Sequence, residues 1–430
     1  MPTRSRALGW WGRGCSVRRR SASRKRLRRC RGGEVRTADV VIIGAGVIGC
    51  STAYHLARAG ITDVAVVEMD QVGSGSSGKS ASMLSLQFCT DELIARMAKY
   101  SYDRYMRFEE EIGVSIDFKR IGWVSLATEE SAEYLLESAR LLQSLGIRTD
   151  VLSPEEVRRR YPEINVEDIV VATYGPDDGS FDPHMIMWGY IGKAREKGVR
   201  LYQGVRATDI RVRKGHVEGV VTDEGFVATG VVVNAGGPWA VEIGRWVGVE
   251  VPIINSVRSI VVTGPFPHIP STWPFFEDVT AEWYFRPEGP GILMGMGSSP
   301  TDELEVPLDL ERVSAMVETA MHRVPVLERA SMLTGWTGIR PMTLDDRPIL
   351  GPVPSVEGFI LNCGWGGAGI IQAPIAGQLV AEYISDGRSS TMDLRPFLVG
   401  RFEGKVVGAV RDLRVFARRA SSSTITGGDA

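Results

Sequence analysis

The sequence predicts an α/β fold built on a parallel sheet. Residues 40–43 are apolar and strand-like, and they run directly into the turn Gly44-Ala45-Gly46-Val47-Ile48-Gly49. A helical stretch then ends at Gly60, a second apolar run covers residues 64–67, and Glu68 closes that run. In such a unit the first glycine permits a tight turn, the second lets the backbone approach a pyrophosphate, and the third lets helix and sheet pack closely. Residues 40–68 therefore predict a Rossmann-like, dinucleotide-binding βαβ unit.

The position of Glu68 restricts the dinucleotide. It lies 19 residues beyond Gly49, where a carboxylate accepts hydrogen bonds from an adenosine ribose and repels a 2′-phosphate. The phosphates would lie at the N-terminus of the helix after Gly46, because its backbone N–H groups and dipole favour negative charge. FAD and NAD both fit this unit, whereas NADP does not.

The composition indicates an ordinary soluble enzyme. A chain of 430 residues with 43% hydrophobic content can bury a large core and is long enough for two domains. The five cysteines are scattered, odd in number and without C-x-x-C spacing, which argues against a disulfide framework and a zinc site. The five histidines also lie far apart, so we expect no catalytic metal.

The N-terminal region is strongly basic. Residues 1–33 carry twelve Lys and Arg and no acidic residue, which leaves 38 basic and 52 acidic residues in the rest. Such an arm suits a nucleic-acid or membrane tether, a mitochondrial transit peptide, or an unstructured extension before a true start near Val35. It lacks the apolar core of a secretory signal, and the chain has no apolar stretch of 18 residues to span a membrane. We expect an unstructured extension on a cytoplasmic enzyme without a nucleic-acid partner, with the mitochondrial matrix as the alternative location.

Three later segments are predicted to return to the nucleotide. The small-residue loop 73–83 leaves the second strand at its carboxyl end, where ligands of a doubly wound sheet bind. The apolar strand 231–234 runs into Ala235-Gly236-Gly237-Pro238-Trp239. Residues 362–369 form a glycine-rich approach to a predicted helix over 370–384, whose N-terminus suits the electron-rich edge of a reduced flavin. These later blocks favour FAD over NAD.

The remaining segments alternate between helical and strand-like patterns. Apolar residues at helical spacing predict helices over 91–112 and 130–146, and a further helix follows over 185–196. Residues 199–235 predict short strands and turns. Residues 250–300 are strand-like and aromatic, which suits an antiparallel sheet that covers a small-molecule cavity.

Taken in order, these blocks resemble the FAD-dependent D-amino-acid oxidase superfamily, in the branch that holds glycine oxidase, sarcosine oxidases and dehydrogenases, dimethylglycine dehydrogenase and D-arginine dehydrogenase. The resemblance covers residues 37–402. It implies a Rossmann-like FAD-binding domain of the glutathione-reductase type with an interleaved antiparallel-sheet substrate domain. The first would take residues 37–115, 190–250 and 335–402, and the second residues 116–189 and 251–334. A disordered basic extension, 1–36, and a C-terminal tail, 403–430, would flank them.

The resemblance also implies a cofactor site, residue by residue. The ADP half would contact Gly44, Gly46, Val47, Ile48, Gly49 and Glu68. Ser77, Gly78, Lys79, Ser80, Ala81 and Ser82 would surround the pyrophosphate and flavin, Ala207 would contact adenine, and Ala235, Gly236 and Trp239 would lie beside the adenosine half. Gly364, Trp365, Gly366, Gly367, Ala368, Gly369, Ile370 and Ile371 would lie along the isoalloxazine ring.

Two residues are implied in contact with the substrate. Arg340 falls where the family has an arginine that grips the substrate carboxylate, and Tyr284 falls where an aromatic hydroxyl lines the pocket. The alternative for Arg340 is a structural ion pair with Asp345 or Asp346, since such ion pairs are common in proteins. The alternative for Tyr284 is simple packing.

The activity implied is oxidation of the C–N bond of a small amino acid, an N-methylated amino acid or a D-amino acid, by hydride transfer to flavin N5 to give an imine. Oxygen or an electron-transfer partner would accept the electrons. Relatives with covalent flavin carry a histidine after the second strand, whereas residues 77–80 contain none, so we expect noncovalent FAD. Residues 362–366 are similar to a stretch in the β subunit of heterotetrameric sarcosine oxidase, so a partner subunit and a noncatalytic subunit role stay open, beside an NAD-linked dehydrogenase.

Overall fold

The computed structural model describes residues 36–89 and 91–404, all of which belong to the compact unit 35–430. The strands are β1 Arg36–Thr37, β2 Val40–Ile43, β3 Val64–Glu68, β4 Met83–Leu84, β5 Trp123–Ala127, β6 Asp150–Leu152, β7 Val171–Gly175, β8 Gly179–Ser180, β9 Arg200–Gln203, β10 Ala207–Arg213, β11 His216–Thr222, β12 Gly225–Ala228, β13 Val232–Asn234, β14 Ile253–Thr263, β15 Phe275–Asp278, β16 Trp283–Glu288, β17 Gly291–Pro300, β18 Met332–Thr343, β19 Ile349–Pro352 and β20 Phe359–Cys363. The α-helices are α1 Val47–Arg58, α2 Glu92–Tyr105, α3 Phe108–Ile112, α4 Glu129–Ser144, α5 Pro154–Arg160, α6 Pro183–Glu196, α7 Ala240–Trp246, α8 Leu310–Arg323 and α9 Gly369–Asp386.

A six-stranded sheet, in the order β19-β20-β13-β2-β3-β9, forms the nucleotide-binding half that the glycine motif predicts. All neighbouring strands are parallel except the edge pair β19 and β20. Both faces are covered, as a parallel sheet of continuous apolar strands requires. Helices α1, α2, α6 and α9 cover one face, and α7 with the small sheet β1-β12-β11-β10 covers the other.

An eight-stranded sheet, in the order β18-β14-β17-β16-β15-β5-β7-β6, carries most of the aromatic residues of the predicted cavity wall. One face packs on α5 and α8 around Trp283, Phe285 and Met316, and we call it the outer face. The opposite face holds a smaller cluster that includes Trp123, Tyr284 and Ala81 of the small-residue loop. We call this side the inner face, because it is turned toward the nucleotide-binding half.

The structure differs from the sequence-based expectations in three places. The eight-stranded sheet is not wholly antiparallel, since β5 and β15 pair in parallel. These two strands come from distant parts of the chain, so no hairpin turn imposes an antiparallel pairing. The helix predicted over 91–112 is two helices, α2 and α3, with a break at residues 106–107. Strand β1 begins at Arg36, inside the segment predicted as extension; the rest of that segment, 1–35, and residues 405–430 lie outside the described residues.

The predicted domain boundaries and the glutathione-reductase type stay predictions. The strands of the six-stranded sheet fall within 37–115, 190–250 and 335–402. Strand β18, which belongs to the eight-stranded sheet, crosses the predicted boundary at 334–335. A single long strand therefore links the two halves, and it carries Arg340.

Candidate active site

Four sequence blocks meet at one edge of the six-stranded sheet. Gly44 follows β2, Glu68 ends β3, Ala235 follows β13 and Gly364 follows β20. Because these strands are parallel, their carboxyl ends lie at the same edge, where ligands of open α/β sheets bind. Together they line a cavity with about 1430 Å³ of empty space, part of it open to solvent.

Two glycines shape the turn that begins this cavity. Gly44 has φ of +105°, a backbone conformation that L side chains rarely adopt, and a Cβ there would lie 2.5 Å from the carbonyl oxygen of Ala235. A Cβ on Gly49 would lie only 1.9 Å from the carbonyl oxygen of Gly44. Gly49 is therefore needed to let α1 pack on the turn, which agrees with the role inferred from its place in the motif.

The N-terminus of α1 is open for an anion. Its N-cap, Gly46, supplies no side-chain hydrogen bond, and no acidic residue stands in the first turn. The N–H of Val47 donates to Oγ of Ser77 at 3.1 Å, and a Cβ on Gly46 would meet only that same oxygen, at 3.3 Å. The space in front of Gly46 is thus free of backbone, as the close approach of a pyrophosphate requires.

The carboxylate of Glu68 is held in place at the next strand end. Oε2 accepts a hydrogen bond from the N–H of Ala45 at 2.8 Å, and Oε1 accepts one from the N–H of Asp70 at 3.0 Å. Each carboxylate oxygen has a second lone pair, so both can still accept a ribose hydroxyl. The glycine cradle, the open helix end and this fixed carboxylate fit the ADP part of FAD.

A second helix end faces the other side of the cavity. Helix α9 begins after Ala368, again without a side-chain cap or an acidic residue in its first turn. The approach to it is fixed by polar contacts, because the indole N–H of Trp365 donates to Oδ1 of Asn362 at 3.0 Å and Nδ2 of Asn362 donates to Thr52 at 3.1 Å. A positive dipole end held this way suits the electron-rich edge of a reduced flavin.

The structure places most of the predicted cofactor residues in the cavity wall. Those are Gly44, Gly46, Val47, Ile48, Glu68, Ser77, Ser80, Ala207, Ala235, Gly236, Trp239, Gly364, Trp365, Gly366, Gly367, Gly369 and Ile370. The predicted residues outside the wall are Gly49, Gly78, Lys79, Ala81, Ser82, Ala368 and Ile371. Two of these instead bind the eight-stranded sheet: the carbonyl oxygen of Lys79 accepts from the Trp336 indole at 3.1 Å, and that of Ala81 accepts from Arg286 at 2.9 Å.

Sequence reasoning missed several residues of the wall. Residues 74–76, Arg206 and Thr208 flank predicted positions, so the neighbouring motifs could have indicated them. Glu242 and Trp246 reach the wall from α7, a short helix whose sequence carries no nucleotide signal. These two residues reach the cavity because α7 packs on the six-stranded sheet, on the face opposite α1.

Arg340 lies on β18 at the inner face, next to the loop predicted to run along the flavin. A Cβ on Gly367 would lie 3.1 Å from its guanidinium carbon. Burial, followed by the nearby charge of Arg258, lowers the pKa of Arg340 to about 10, so it stays a cation at neutral pH. Among the residues that the structure describes, none forms an ion pair or a side-chain hydrogen bond with its guanidinium group. Arg340 is therefore a cation available to a ligand.

Two carboxylates were considered as structural partners of Arg340: Asp345, which binds another arginine, and Asp346, which has a raised pKa. Asp345 accepts from Arg401 at 2.8 and 3.1 Å. Burial and the charge of Asp345 raise the pKa of Asp346 to about 6. The described structure contains no ion pair from Arg340 to either carboxylate, which removes the structural explanation for this arginine.

Tyr284 stands on β16 at the centre of the inner face. Its register partner is Gly295 on β17, and a Cβ at Gly295 would lie 2.3 Å from the phenol oxygen. The missing side chain thus leaves room for the tyrosine ring to lie across the neighbouring strand. On its other side the ring stacks on Phe275 at 5.3 Å, which in turn stacks on Trp123 at 3.9 Å. Tyr284 is part of an aromatic wall, and it also acts electrostatically on Arg340.

Two charged residues of the inner face were missed. Arg258 on β14 pairs with Glu282 at 3.3 Å, and Glu277 on β15 is the register partner of Tyr284. Both act on the pKa of Arg340. No motif marks them, because they come together only through the pairing of strands far apart in the sequence.

The chemistry of the cavity wall bears on how a cofactor would be attached. Of the wall residues, Cys363 is the one with a nucleophilic thiol, and burial raises its pKa to about 12, which keeps it protonated. No histidine belongs to the wall among the described residues. In the same described ranges no group of three or more His, Cys, Asp or Glu is arranged for a metal ion, and no helix is long and apolar enough to cross a membrane.

A dinucleotide cavity on a parallel sheet, next to a second sheet with a free arginine, defines a flavin-dependent oxidoreductase. A family model described as FAD dependent oxidoreductase matches residues 39–383, and the chain belongs to this family. Mouse mitochondrial sarcosine dehydrogenase is 31% identical over 396 residues, which cover 88% of this chain and 43% of that protein. Glycine oxidase from Geobacillus kaustophilus is 31% identical over 380 residues, which cover 86% of this chain and 98% of that protein. The crystal structure of L-proline dehydrogenase from P. horikoshii matches with a TM-score of 0.79 and 26% identity, covering 86% of this chain and 99% of that one.

These comparisons confirm the superfamily resemblance and the FAD-dependent class of oxidoreductase. The cofactor is FAD, so the choice that the first βαβ unit left open is decided against NAD. The chain spans less than half the length of sarcosine dehydrogenase.

Proposed function

We propose that this chain oxidises the C–N bond of a small amino acid or N-methylated amino acid, of the sarcosine, glycine or D-amino-acid type, to an imine. The observation that carries this proposal is Arg340, a cation with no protein partner among the described residues, held beside Gly367. A guanidinium group binds a carboxylate through two parallel hydrogen bonds, which would fix the substrate in one orientation. The names of sarcosine dehydrogenase and glycine oxidase support the same class of substrate.

The residues of the chain chiefly supply binding and orientation, because the flavin accepts the electrons of the substrate. When bound, FAD would supply the acceptor, at N5, for a hydride, which carries the two electrons of the oxidation. Arg340 would hold the substrate carboxylate, and the ring of Tyr284 with its aromatic neighbours would exclude water from one side. The N-terminus of α9 would stabilise negative charge on the reduced ring system. Oxygen or an electron-transfer partner is the proposed electron acceptor.

The test is anaerobic bleaching of the yellow holoenzyme by a panel of amino acids. We expect loss of the flavin absorbance with one or more of sarcosine, glycine, N-methylated and D-amino acids, and no change with the matching amines that lack a carboxylate. Bleaching by simple amines at the same rate would remove the role of Arg340. No bleaching by any amino acid would favour a noncatalytic, flavin-bearing subunit, the alternative that the similarity of residues 362–366 to a sarcosine oxidase β subunit suggests.

We also propose that the FAD is bound without a covalent link, in a Rossmann-like domain of the glutathione-reductase type. This rests on the absence of histidine from residues 77–80 and on the raised thiol pKa of Cys363. Acid precipitation should release the yellow colour into the supernatant. Colour that stays with the pellet would contradict this part of the proposal.

A further inference from the structure

The inner face carries one carboxyl group that the proposed function does not use. Glu277 on β15 pairs in register with Tyr284 on β16 and with Ser125 on β5. Side chains of directly paired residues point to the same face of a sheet. Glu277 therefore shares the inner face with Tyr284, whereas the next residue, Asp278, points to the outer face and binds Arg323 at 2.8 Å.

The carboxylate of Glu277 has weak partners inside the protein. The hydroxyl of Ser125 lies 3.5 Å from Oε2, and the indole of Trp123 donates to that hydroxyl at 2.9 Å. The described residues contain no ion pair to Glu277, and its side chain is only partly buried. A carboxylate on the inner face without an ion-pair partner is one that a cationic group of a ligand can compensate.

Arg340 and Glu277 carry opposite charges but do not form an ion pair with each other. Each acts on the pKa of the other, so they lie within electrostatic range, yet no ion pair joins them. The second cation of the face, Arg258, is already paired with Glu282. One cation and one anion therefore lie on the inner face, each without an ion-pair partner among the described residues.

We propose that Glu277 binds the ammonium group of the substrate and accepts its proton before oxidation. This rests on the proposed function. An amino acid carries a carboxylate and an ammonium group on one carbon, which matches a cation and an anion that lie on one sheet face and interact without forming an ion pair. The proton passes from the substrate nitrogen to a carboxylate oxygen of Glu277, and the N–H electron pair stays on nitrogen. The products are the neutral amine and the carboxylic acid, and only the neutral amine can support hydride loss from the adjacent carbon.

The surroundings suit a proton acceptor. Burial raises the pKa of Glu277, while the charges of Arg258 on β14 and Arg340 on β18 oppose that rise. The other titratable groups near it are Tyr284 on β16, its register partner, and Tyr134 on α4. Burial raises the pKa of Tyr134 to about 12, so that phenol stays neutral at pH 7. A raised carboxyl pKa makes the transfer from an ammonium group less unfavourable.

Glu277→Gln keeps the shape and removes the proton acceptor. Asp150→Asn is the control, because Asp150 is an exposed carboxylate on β6, at the far edge of the same sheet. For Glu277→Gln we expect kcat/KM for the amino acid to fall by about 10- to 100-fold at neutral pH, mainly in kcat, and to recover as pH rises and free amine becomes abundant. Asp150→Asn should stay within about threefold at every pH. A purely structural role would lower the rate equally across the pH range.

Calorimetric binding to the holoenzyme separates the ammonium site from the carboxylate site. Acetate carries only the carboxylate, so Glu277→Gln should bind it like the parent and Arg340→Ala should bind it at least tenfold more weakly. Glycine betaine carries a permanent cation, so both variants should bind it more weakly. If Glu277→Gln oxidises the amino acid and binds betaine as the parent does, the proposal is overturned. Loss of acetate binding in the same variant would also overturn it. If no amino acid bleaches the parent flavin, the proposed function fails, and the betaine and acetate titrations still decide whether Glu277 binds a cation.

Discussion

The two large sheets of this protein build ligand sites in different ways. At the carboxyl edge of the six-stranded sheet, the site consists of turns, helix ends and glycines that remove side chains from the path of a ligand. On the inner face of the eight-stranded sheet, the proposed substrate site consists of side chains such as Arg340, Tyr284 and Glu277, placed by strand register. A ligand site made of backbone turns depends on short local sequences. A ligand site made of side chains on several strands forms only when the whole sheet has assembled. The difference predicts that the two sites fail in different ways when mutated.

The largest expected effect concerns the glycine turn. Gly46→Val should abolish FAD binding and leave the apoprotein folded, because the added side chain meets only Oγ of Ser77 within the protein but blocks the pyrophosphate. The measurement is FAD occupancy beside far-UV circular dichroism.

Gly49→Ala is the matched variant for the same turn. Its Cβ would meet the carbonyl oxygen of Gly44 at 1.9 Å, so it should lose FAD and thermal stability together. A Gly46→Val protein that retains FAD would show that the backbone at this turn does not contact the cofactor.

The next effect concerns the outer face of the eight-stranded sheet. Asp278 is buried and shares Arg323 with Asp168, so Asp278→Asn should lower the free energy of unfolding by about 3 kcal/mol, as expected when a buried ion pair loses one partner. Glu277→Gln, one residue away on the inner face, should change it by less than about 1 kcal/mol. Denaturant unfolding of the two holoenzymes measures this contrast. If both variants lose the same free energy of unfolding, the outer face is not specialised for stability and the inner face is not specialised for binding.

A smaller effect is expected at Arg340. A charge-assisted hydrogen bond contributes roughly 1.5–3 kcal/mol, so Arg340→Ala should lower kcat/KM for carboxylate substrates by about 10- to 100-fold. Arg340→Lys should restore only part of this, since lysine lacks the planar fork. FAD occupancy is the control in each variant. If Arg340→Ala keeps its flavin and oxidises its amino acid at the parent rate, the carboxylate assignment is wrong.

The smallest effect is expected from removing residues 1–34. They carry no apolar periodicity, and they end before β1, which begins at Arg36. A chain that starts at Val35 should keep its FAD occupancy and its melting temperature within about 2 °C. A large drop in either would show that the arm packs on the body.

The residues that could be predicted from sequence differ between the two sheets in the same way. The turn at residues 44–49, Glu68 and the glycines of 364–369 could be assigned from sequence because each acts through its own backbone or its place at a strand end. Arg340 was found through the family resemblance rather than by its surroundings. Glu277 and Arg258 could not be found, because nothing local distinguishes them from ordinary charged residues on a strand. The parallel pairing of β5 and β15 was missed for the same reason, since it joins segments on either side of the nucleotide-binding half.

The strand order of the six-stranded sheet has a consequence for synthesis on the ribosome. Strand β20, at Phe359–Cys363, lies between β13 and β19, and α9 packs on α1 only after that strand is made. Until then β13 has an open edge, and an exposed strand edge is a template for pairing with other chains. Nascent chains that stall before residue 359 should therefore aggregate rather than wait for FAD. Synthesis of the last sixth of the chain is then the step that commits the protein to its native state.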